Sequence, residues 1–495
     1  METADFSQPL RQSSKGIIII FALNAVKFLR NFFAVLIALG VALVRKNSFL
    51  SLTPLAILLI LVGVLILILI IAVLKYLNFK FHLSETDFHL ATGILNKDTT
   101  IIPKTKIQNV HIQQNFLQQI INVVSLKIET AGDKASEIEI SALDKATALQ
   151  LKKELFSKNH IEAEHIEAID DTNVFYKISI KRLLLEGILQ NHLRSFAIMI
   201  SFVVGLYYQV KEYFQDFEIG IDDGYAFDNE SMFQLMYVII LIVAVGLIVS
   251  VVFSVIRVFV VNFNLEVVDN HKTLEINKGL FNKMSLSLTP SKIQNIVIKT
   301  NALKQYFDLY TLNVKQAMAN AKQHKNFGII ALRKDQINQL IDKLVTDYSI
   351  EGELLKPEPY YKRIMALRML LFLAVFNFFA VMLFDLQILW TNVLWVPLVV
   401  LFIILRYKKA YYNVTERFVT VGSGAIDTTT NILEINKIQA VKLSQTFFQR
   451  RKKIASVVIY TASKAVTIPY VKEKDAKSIY DFLLFRVEYE SKDWM

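Results

Sequence analysis

Lysine, isoleucine and glutamine stand together three times in this chain, as Lys106-Ile107-Gln108, Lys292-Ile293-Gln294 and Lys437-Ile438-Gln439. The repetition makes the motif the first candidate for a functional site. A fold-determining motif repeats in the same way, and that is the role expected here. The isoleucine would face a core, the glutamine would satisfy backbone groups at a turn or sheet edge, and the lysine would stay at the surface. The second candidate is Phe447-Phe448-Gln449-Arg450-Arg451-Lys452-Lys453, two aromatics beside four cations. Near a cytoplasmic membrane surface each cation contributes about 1 kcal/mol against anionic lipid. Two readings stand for it: contact of Phe447, Phe448, Arg450, Arg451, Lys452 and Lys453 with anionic lipid or a partner, or a solvated basic face whose phenylalanines are core. The matching stretch of the first copy, Gln118-Gln119-Ile120-Ile121, is uncharged.

Other chemistry finds few residues to carry it. Cysteine is absent, which excludes disulfides, thiolate metal sites and cysteine nucleophiles. The eight histidines are scattered, and His160 and His165 lack the spacing of a zinc-binding helix. Glycine-rich phosphate loops and nucleophile elbows are missing too. Glu162, Glu164 and Glu167 read as a solvated linker. The sequence therefore predicts no catalytic residue, no cofactor and no metal site. A net charge of +11 raises the question of nucleic acid, but no basic stripe with interleaved aromatics runs through a soluble region.

The elements that position these residues begin in the membrane. Over 495 residues, 54% are hydrophobic, mean hydropathy is +0.40, and the excess is clustered. Leu55–Leu74, Leu235–Ile256 and Ile388–Leu405 are uncharged runs long enough to span a bilayer. Each follows a weaker apolar segment: Phe32–Val44, Phe196–Val210 and Met369–Phe384. Amphipathic lead-ins, Ile17–Asn31 with Lys27 and Arg30 and Ile178–Arg194 with Lys181, Arg182 and Glu186, suit helices lying at the interface or slightly longer tilted spans with snorkelling cations. The N-terminal segment is expected to be retained rather than cleaved. The loop Gln209–Met232 holds seven acids and one base without calcium-loop spacing, and reads as solvated. The opposite span ends carry Lys75, Lys80, Arg194, Arg257, Lys362, Arg363, Arg368, Arg406, Lys408 and Lys409, so the positive-inside rule places both termini and the soluble regions in the cytoplasm, with Arg45 and Lys46 in the first loop arguing the other way. The firm spans hold no internal charge, unlike the spans of most transporters.

The soluble regions are copies of one another. With Gly93, Gly279 and Gly424 aligned, the Lys-Ile-Gln motif begins thirteen residues later in each, and the register holds without a gap for about thirty-five positions. Strands are expected to start at Phe81–Leu83, Phe263–Val267 and Tyr412–Thr415, with the glycines in hairpin turns. Helical patterns close the copies at Leu143–Leu155, Leu332–Leu344 and Val471–Phe485. Each copy reads as a small antiparallel sheet capped by one helix.

The glycine turn, the Lys-Ile-Gln motif, the apolar-plus-basic stretch and the closing helix resemble the second class of bacterial pleckstrin-homology domain. Pro9-Leu10-Arg11-Gln12-Ser13 and Ile178-Ser179-Ile180-Lys181-Arg182-Leu183-Leu184-Leu185 are similar to that family's lead-ins. The third copy departs with Ala440 where the others have Asn109 and Asn295. The resemblance implies an α+β membrane protein: six transmembrane helices in three hairpins, each followed by a PH-like module. Its segments are a lead-in and first hairpin over 1–76, a module over 77–169, a second hairpin over 170–261, a module over 262–350, a third hairpin over 351–409 and a module over 410–495. Acidic residues in the first turns (Glu85, Asp87, Asp269 and Glu416) oppose phosphoinositide recognition. The function expected is a non-enzymatic scaffold in a bacterial cytoplasmic membrane, with membrane lipids and a protein partner or further copies as its contacts. The alternative is a transporter or lipid- or solute-handling protein that uses the six-helix bundle.

Overall fold

Leucine-rich runs in hydrocarbon can satisfy their backbone only as helices, and the first two elements follow that rule. In a computed structural model, which describes residues 5–44, 54–130, 137–156, 173–192, 195–199, 201, 205, 229–270, 273–316, 327–345, 348, 353–384 and 386–489, they are α1 (Gly16–Val44) and α2 (Pro54–Asn78). The lead-in Ile17–Asn31 and the apolar run after it form this one continuous α1. The first module follows: β1 (Lys80–Leu83), β2 (Asp87–Thr92), β3 (Asp98–Pro103), a 3₁₀ turn, β4 (Ile107–Gln114), the short helix α3 (Phe116–Ile120), β5 (Val124–Thr130), β6 (Glu137–Leu143) and α4 (Lys145–Phe156). Alternation along the strands sends Phe81, Phe88, Ile107, Val110, Leu126 and Ile140 into one core, closed by Ala148, Leu151 and Leu155 of α4. The lead-in joins this module, since Leu10 and Phe81 exchange both backbone hydrogen bonds at 2.8 and 2.9 Å.

The second copy opens with β7 (Asn173–Lys177), α5 (Ile180–Ile188) and α6 (Asn229–Asn262). It continues through β8 (Glu266–Asp269), β9 (Leu274–Lys278), β10 (Lys283–Leu288), β11 (Ile293–Asn301), α7 (Ala302–Tyr306), β12 (Tyr310–Gln316), β13 (Gly328–Leu332) and α8 (Lys334–Leu344). Its first full strand begins at Glu266 rather than Phe263, because α6 runs on to Asn262 and Asn264 adopts a positive φ of 50° before the chain extends. The third copy has α9 (Tyr360–Phe384), α10 (Asn392–Lys408), β14 (Tyr411–Val414), β15 (Phe418–Gly424), β16 (Asp427–Glu434), β17 (Ile438–Ser444), α11 (Phe447–Arg451), β18 (Ile454–Thr461), β19 (Ala465–Lys472) and α12 (Glu473–Tyr489). Its core repeats the first, with Val419, Leu433, Ile438, Val457, Ile459 and Ile468 beneath Ala476 and Leu483 of α12.

Five stretches among the described residues are long and apolar enough to cross a membrane: Gly16–Phe33, Leu58–Asn78, Ala244–Asn262, Tyr360–Met382 and Leu389–Lys408. They keep large apolar side chains such as Leu59, Ile248, Phe372 and Val393 exposed on their surfaces, as helices that cross a bilayer do. The weak segment Phe196–Val210 and the acidic loop lie mostly outside the described residues.

The modules share sheets. The first contributes a three-stranded sheet β1-β2-β3, while its β6-β5-β4 half continues into the next copy's strands in the order β6-β5-β4-β10-β9-β8-β7. The order β13-β12-β11-β16-β15-β14 repeats the arrangement between the second and third copies, and β17-β18-β19 stands as a three-stranded sheet. The compact units therefore depart from the repeat boundaries: Val267–Ser287 belongs with Met1–Phe175, and Leu288–Met495 with Tyr176–Glu266.

The aligned glycines Gly93, Gly279 and Gly424 have φ values of 107°, 109° and 125°. A Cβ would stand 1.8, 2.0 and 1.8 Å from the carbonyl oxygens of Asn96, Asn282 and Asp427. Only glycine fits such a turn. Gly424→Ala should lower stability by about 1–3 kcal/mol, read as an earlier thermal transition of the detergent-solubilised protein.

Candidate functional site

The Lys-Ile-Gln motif takes one geometry in all three copies. The lysine ends a 3₁₀ turn, Lys104–Lys106, Pro290–Lys292 or Ile435–Lys437. The isoleucine opens the next strand and is buried in each copy. The glutamine is the extra residue at a register shift, between Ile107 and Asn109, Ile293 and Asn295, and Ile438 and Ala440. Such a bulge bends the strand and raises its twist. Lys106 is exposed and Lys292 half-buried, but Lys437 is buried rather than at the surface as the sequence predicts.

The aromatic-basic stretch forms α11 and the turn after it. Phe447 and Phe448 are 70% and 57% exposed, with rings edge to face at 5.7 Å, so they are not core residues. Arg450, Arg451, Lys452 and Lys453 are exposed beside them. Gln449 is the buried member, closing a capping box with Thr446. Lys453 has a φ of 52°, matching Asn122 at 56° and Asp308 at 52° in the other copies, so this cation also occupies the left-handed position that ends the short helix.

Where the helix pairs meet the glycine hairpins there are clefts. In the first unit a cleft of about 1120 Å³ is walled by Leu23, Val26, Ile71, Leu74 and Leu95 and carries Lys27, Arg30 and Lys75. Gln12 is only 3% exposed and lines it, and its Oε1, like Nδ2 of neighbouring Asn24, has no hydrogen-bond partner. A cleft of about 480 Å³ in the second unit holds Arg368, Arg406, Lys464, Tyr361 and Thr446 around Gly422–Gly424. Lys75 and Arg406 each stand eighteen residues before the aligned glycine, so the repeat places one cation in both clefts. Apolar walls, cations and unmet amides suit an anionic amphiphile. Sequence reasoning recorded Lys27, Arg30, Lys75 and Arg406 as cations at the spans but did not bring them together. The equal distance of Lys75 and Arg406 from their glycines was the available signal.

The middle copy differs electrostatically. Lys304 stands where the others have Gln118 and Gln449, and its ammonium is buried against Glu186 of α5, which also accepts from the Thr311 hydroxyl at 3.2 Å. Burial pushes the Glu186 carboxyl up, and Lys304 offsets only part of that rise. Burial also pushes the Lys278 ammonium down to about 8. A depressed lysine binds fewer protons folded than unfolded, so stability should climb between about pH 8 and pH 10.5. Lys278→Met should remove that slope, as measured by denaturant unfolding across the interval. Among the described residues no group of three or more histidine, aspartate or glutamate side chains is placed to hold a metal ion.

A family model described as "Bacterial PH domain" matches residues 20–159, 207–346 and 369–486, most of the chain. The chain belongs to this family. The bacterial PH domain match begins within α1 and α9 in the first and third copies, so it takes in the helix pair as well as the sheet. A relative with the same reach is the UPF0699 transmembrane protein YdbT of Bacillus subtilis (strain 168), 24% identical over 456 residues, covering 87% of this chain and 89% of that protein. This chain is thus a membrane protein with three repeated bacterial PH domains.

Proposed function

We propose that the protein is a non-enzymatic scaffold, holding its three bacterial PH domains on the cytoplasmic face of a bacterial inner membrane for contact with anionic lipid and a protein partner. The joining of neighbouring modules through β4–β10 and β11–β16 carries this reading, because paired strand edges tie each module to its neighbour rather than leaving three independent binders. The Lys-Ile-Gln motif is structural in this reading, bending the strand that makes each junction. Cytoplasmic placement follows from the cations at the span ends. A pull-down of the detergent-solubilised protein tests it, beside a variant carrying Arg450→Gln, Arg451→Gln, Lys452→Gln and Lys453→Gln. A defined partner whose recovery falls in the variant supports the scaffold; recovery of none counts against it.

The cleft between α1 and α2 favours a second reading, lipid or solute handling by the helices. Movement of a labelled lipid or solute across reconstituted vesicles would put this reading in place of the scaffold. Under either reading the cleft cations hold an anionic headgroup. Lys27→Gln with Lys75→Gln should weaken retention of anionic phospholipid by about 1 kcal/mol per cation, seen by native mass spectrometry.

A further inference from the structure

The two junctions inside the chain are built to one register. Counted from each copy's glycine, the fourth, fifth and sixth residues pair with the twenty-first, twentieth and nineteenth of the preceding copy. At the first junction Lys283, Met284 and Ser285 face Gln114, Gln113 and Ile112. At the second, Thr428, Thr429 and Thr430 face Thr300, Lys299 and Ile298. The same arithmetic leaves one strand of each kind over. β3, which matches β10 and β16, pairs among the described residues only with β2, and β17, which matches β4 and β11, only with β18.

Exposure marks the leftover edges as complementary. In the joined strands Asn109, His111, Asn295 and Val297 are buried, whereas Ala440 and Lys442 at the matching places of β17 are exposed. On β3, Asp98 through Ile101 are exposed. The short helix gives a second, independent sign. At the first junction Phe116 of α3 meets Phe281 of the β9–β10 turn edge to face at 5.7 Å, and Gln119 donates to the carbonyls of Leu280 and Phe281 at 3.1 and 3.0 Å. The residues at those repeat positions on the free ends are Phe447, 70% exposed, and Leu95, 100% exposed. The middle junction has Ala302 and Ile426 there, so the terminal pair resembles the first junction more closely.

We propose that β17 of one chain pairs with β3 of a second copy in the register of the internal junctions, with Phe447 packed on Leu95, so that the protein assembles head to tail in the membrane. Lys97, Asp98 and Thr99 then face Gln445, Ser444 and Leu443. Asp98 lies diagonal to Lys442, an opposite-charge neighbour across the strands. The contact is heterologous, so the assembly is a ring where its rotation closes and a filament where it does not. The inference goes beyond the scaffold reading and does not depend on lipid binding or on a foreign partner.

The absence of cysteine makes the test clean. Full-length chains carrying Asp98→Cys with one tag and Ser444→Cys with another are co-expressed, and membranes are mildly oxidised. Directly opposed residues have Cα atoms about 4.5–5.5 Å apart, within disulfide reach. The expected result is a band of doubled mass carrying both tags, lost on reduction and weakened by Phe447→Ala. Leu95→Cys with Phe447→Cys serves as a second pair should either first variant fail to accumulate. Links only between like-tagged chains would overturn the proposal, since they mean β3–β3 or β17–β17 pairing. So would a link formed only within one doubly substituted chain, absence of any link in both pairs, or native mass spectrometry showing the unmodified protein to be a monomer. Cross-linking can fail while the pull-down succeeds, which separates the loss of this proposal from the loss of the scaffold.

Discussion

Lys304→Met should destabilise the protein by about 3–5 kcal/mol, the cost of removing one member of a buried ion pair. The loss comes from what stays behind: Glu186 is 1% exposed and would keep a charge that burial already disfavours. Protonation relieves it, so the penalty should depend on pH. The carboxyl of Glu186 is raised in the folded protein above its ordinary value of 4.5, so the folded state binds the extra proton. Stability tied to that proton is full below pH 4.5 and lost as pH rises through the folded value. Lys304→Met should therefore be mildest in acid and worst at neutral pH. The double variant Lys304→Met with Glu186→Leu should recover most of the loss, because well-packed apolar replacements often match a buried pair. Denaturant unfolding of the four proteins at two pH values reads the whole cycle, and additive single effects would show that the two side chains do not couple.

Phe88→Ala should cost about 3–5 kcal/mol, as expected for emptying a large aromatic site in a packed core. Phe88 is fully buried, its ring 6.4 Å from that of Phe81, within the first module's core. Phe447→Ala removes the same atoms from an exposed helix and should change the stability of a single chain by no more than about 0.5 kcal/mol. Thermal melts in detergent separate the two variants, and equal losses would mean that Phe447 is packed within its own chain.

Much of this architecture was legible because the chain writes it three times. The aligned glycines, the closing helices and the strand starts could be read from local spacing, since each answers to a steric or periodic rule that acts over a few residues. Misplacements came where context overrides spacing. Phe263 has the alternation of a strand, yet α6 runs on to Asn262 and leaves Phe263 in the turn that follows. Lys437 ends the same 3₁₀ turn as Lys106 but is buried. Phe447 and Phe448, for which the sequence leaves core and contact roles both open, are exposed. The junctions left no local trace, because strand pairing depends on a partner elsewhere in the chain. The clefts were partly visible, as cations at the span ends. Gln12, read only as part of a lead-in, gained its meaning when the fold set it beside Asn24 in an apolar cleft.

Sharing sheets between copies also sets a timetable for synthesis. β4 is joined to a strand about 170 residues downstream, Gln114 facing Lys283. A ribosome adding about 5–20 residues per second needs about 10–30 s to supply that partner. During that interval the edge of β4 stands without its partner strand. Nascent chains of this protein thus carry an unpaired strand edge in the gap between repeats, and a translational pause placed there would lengthen the time it stays open.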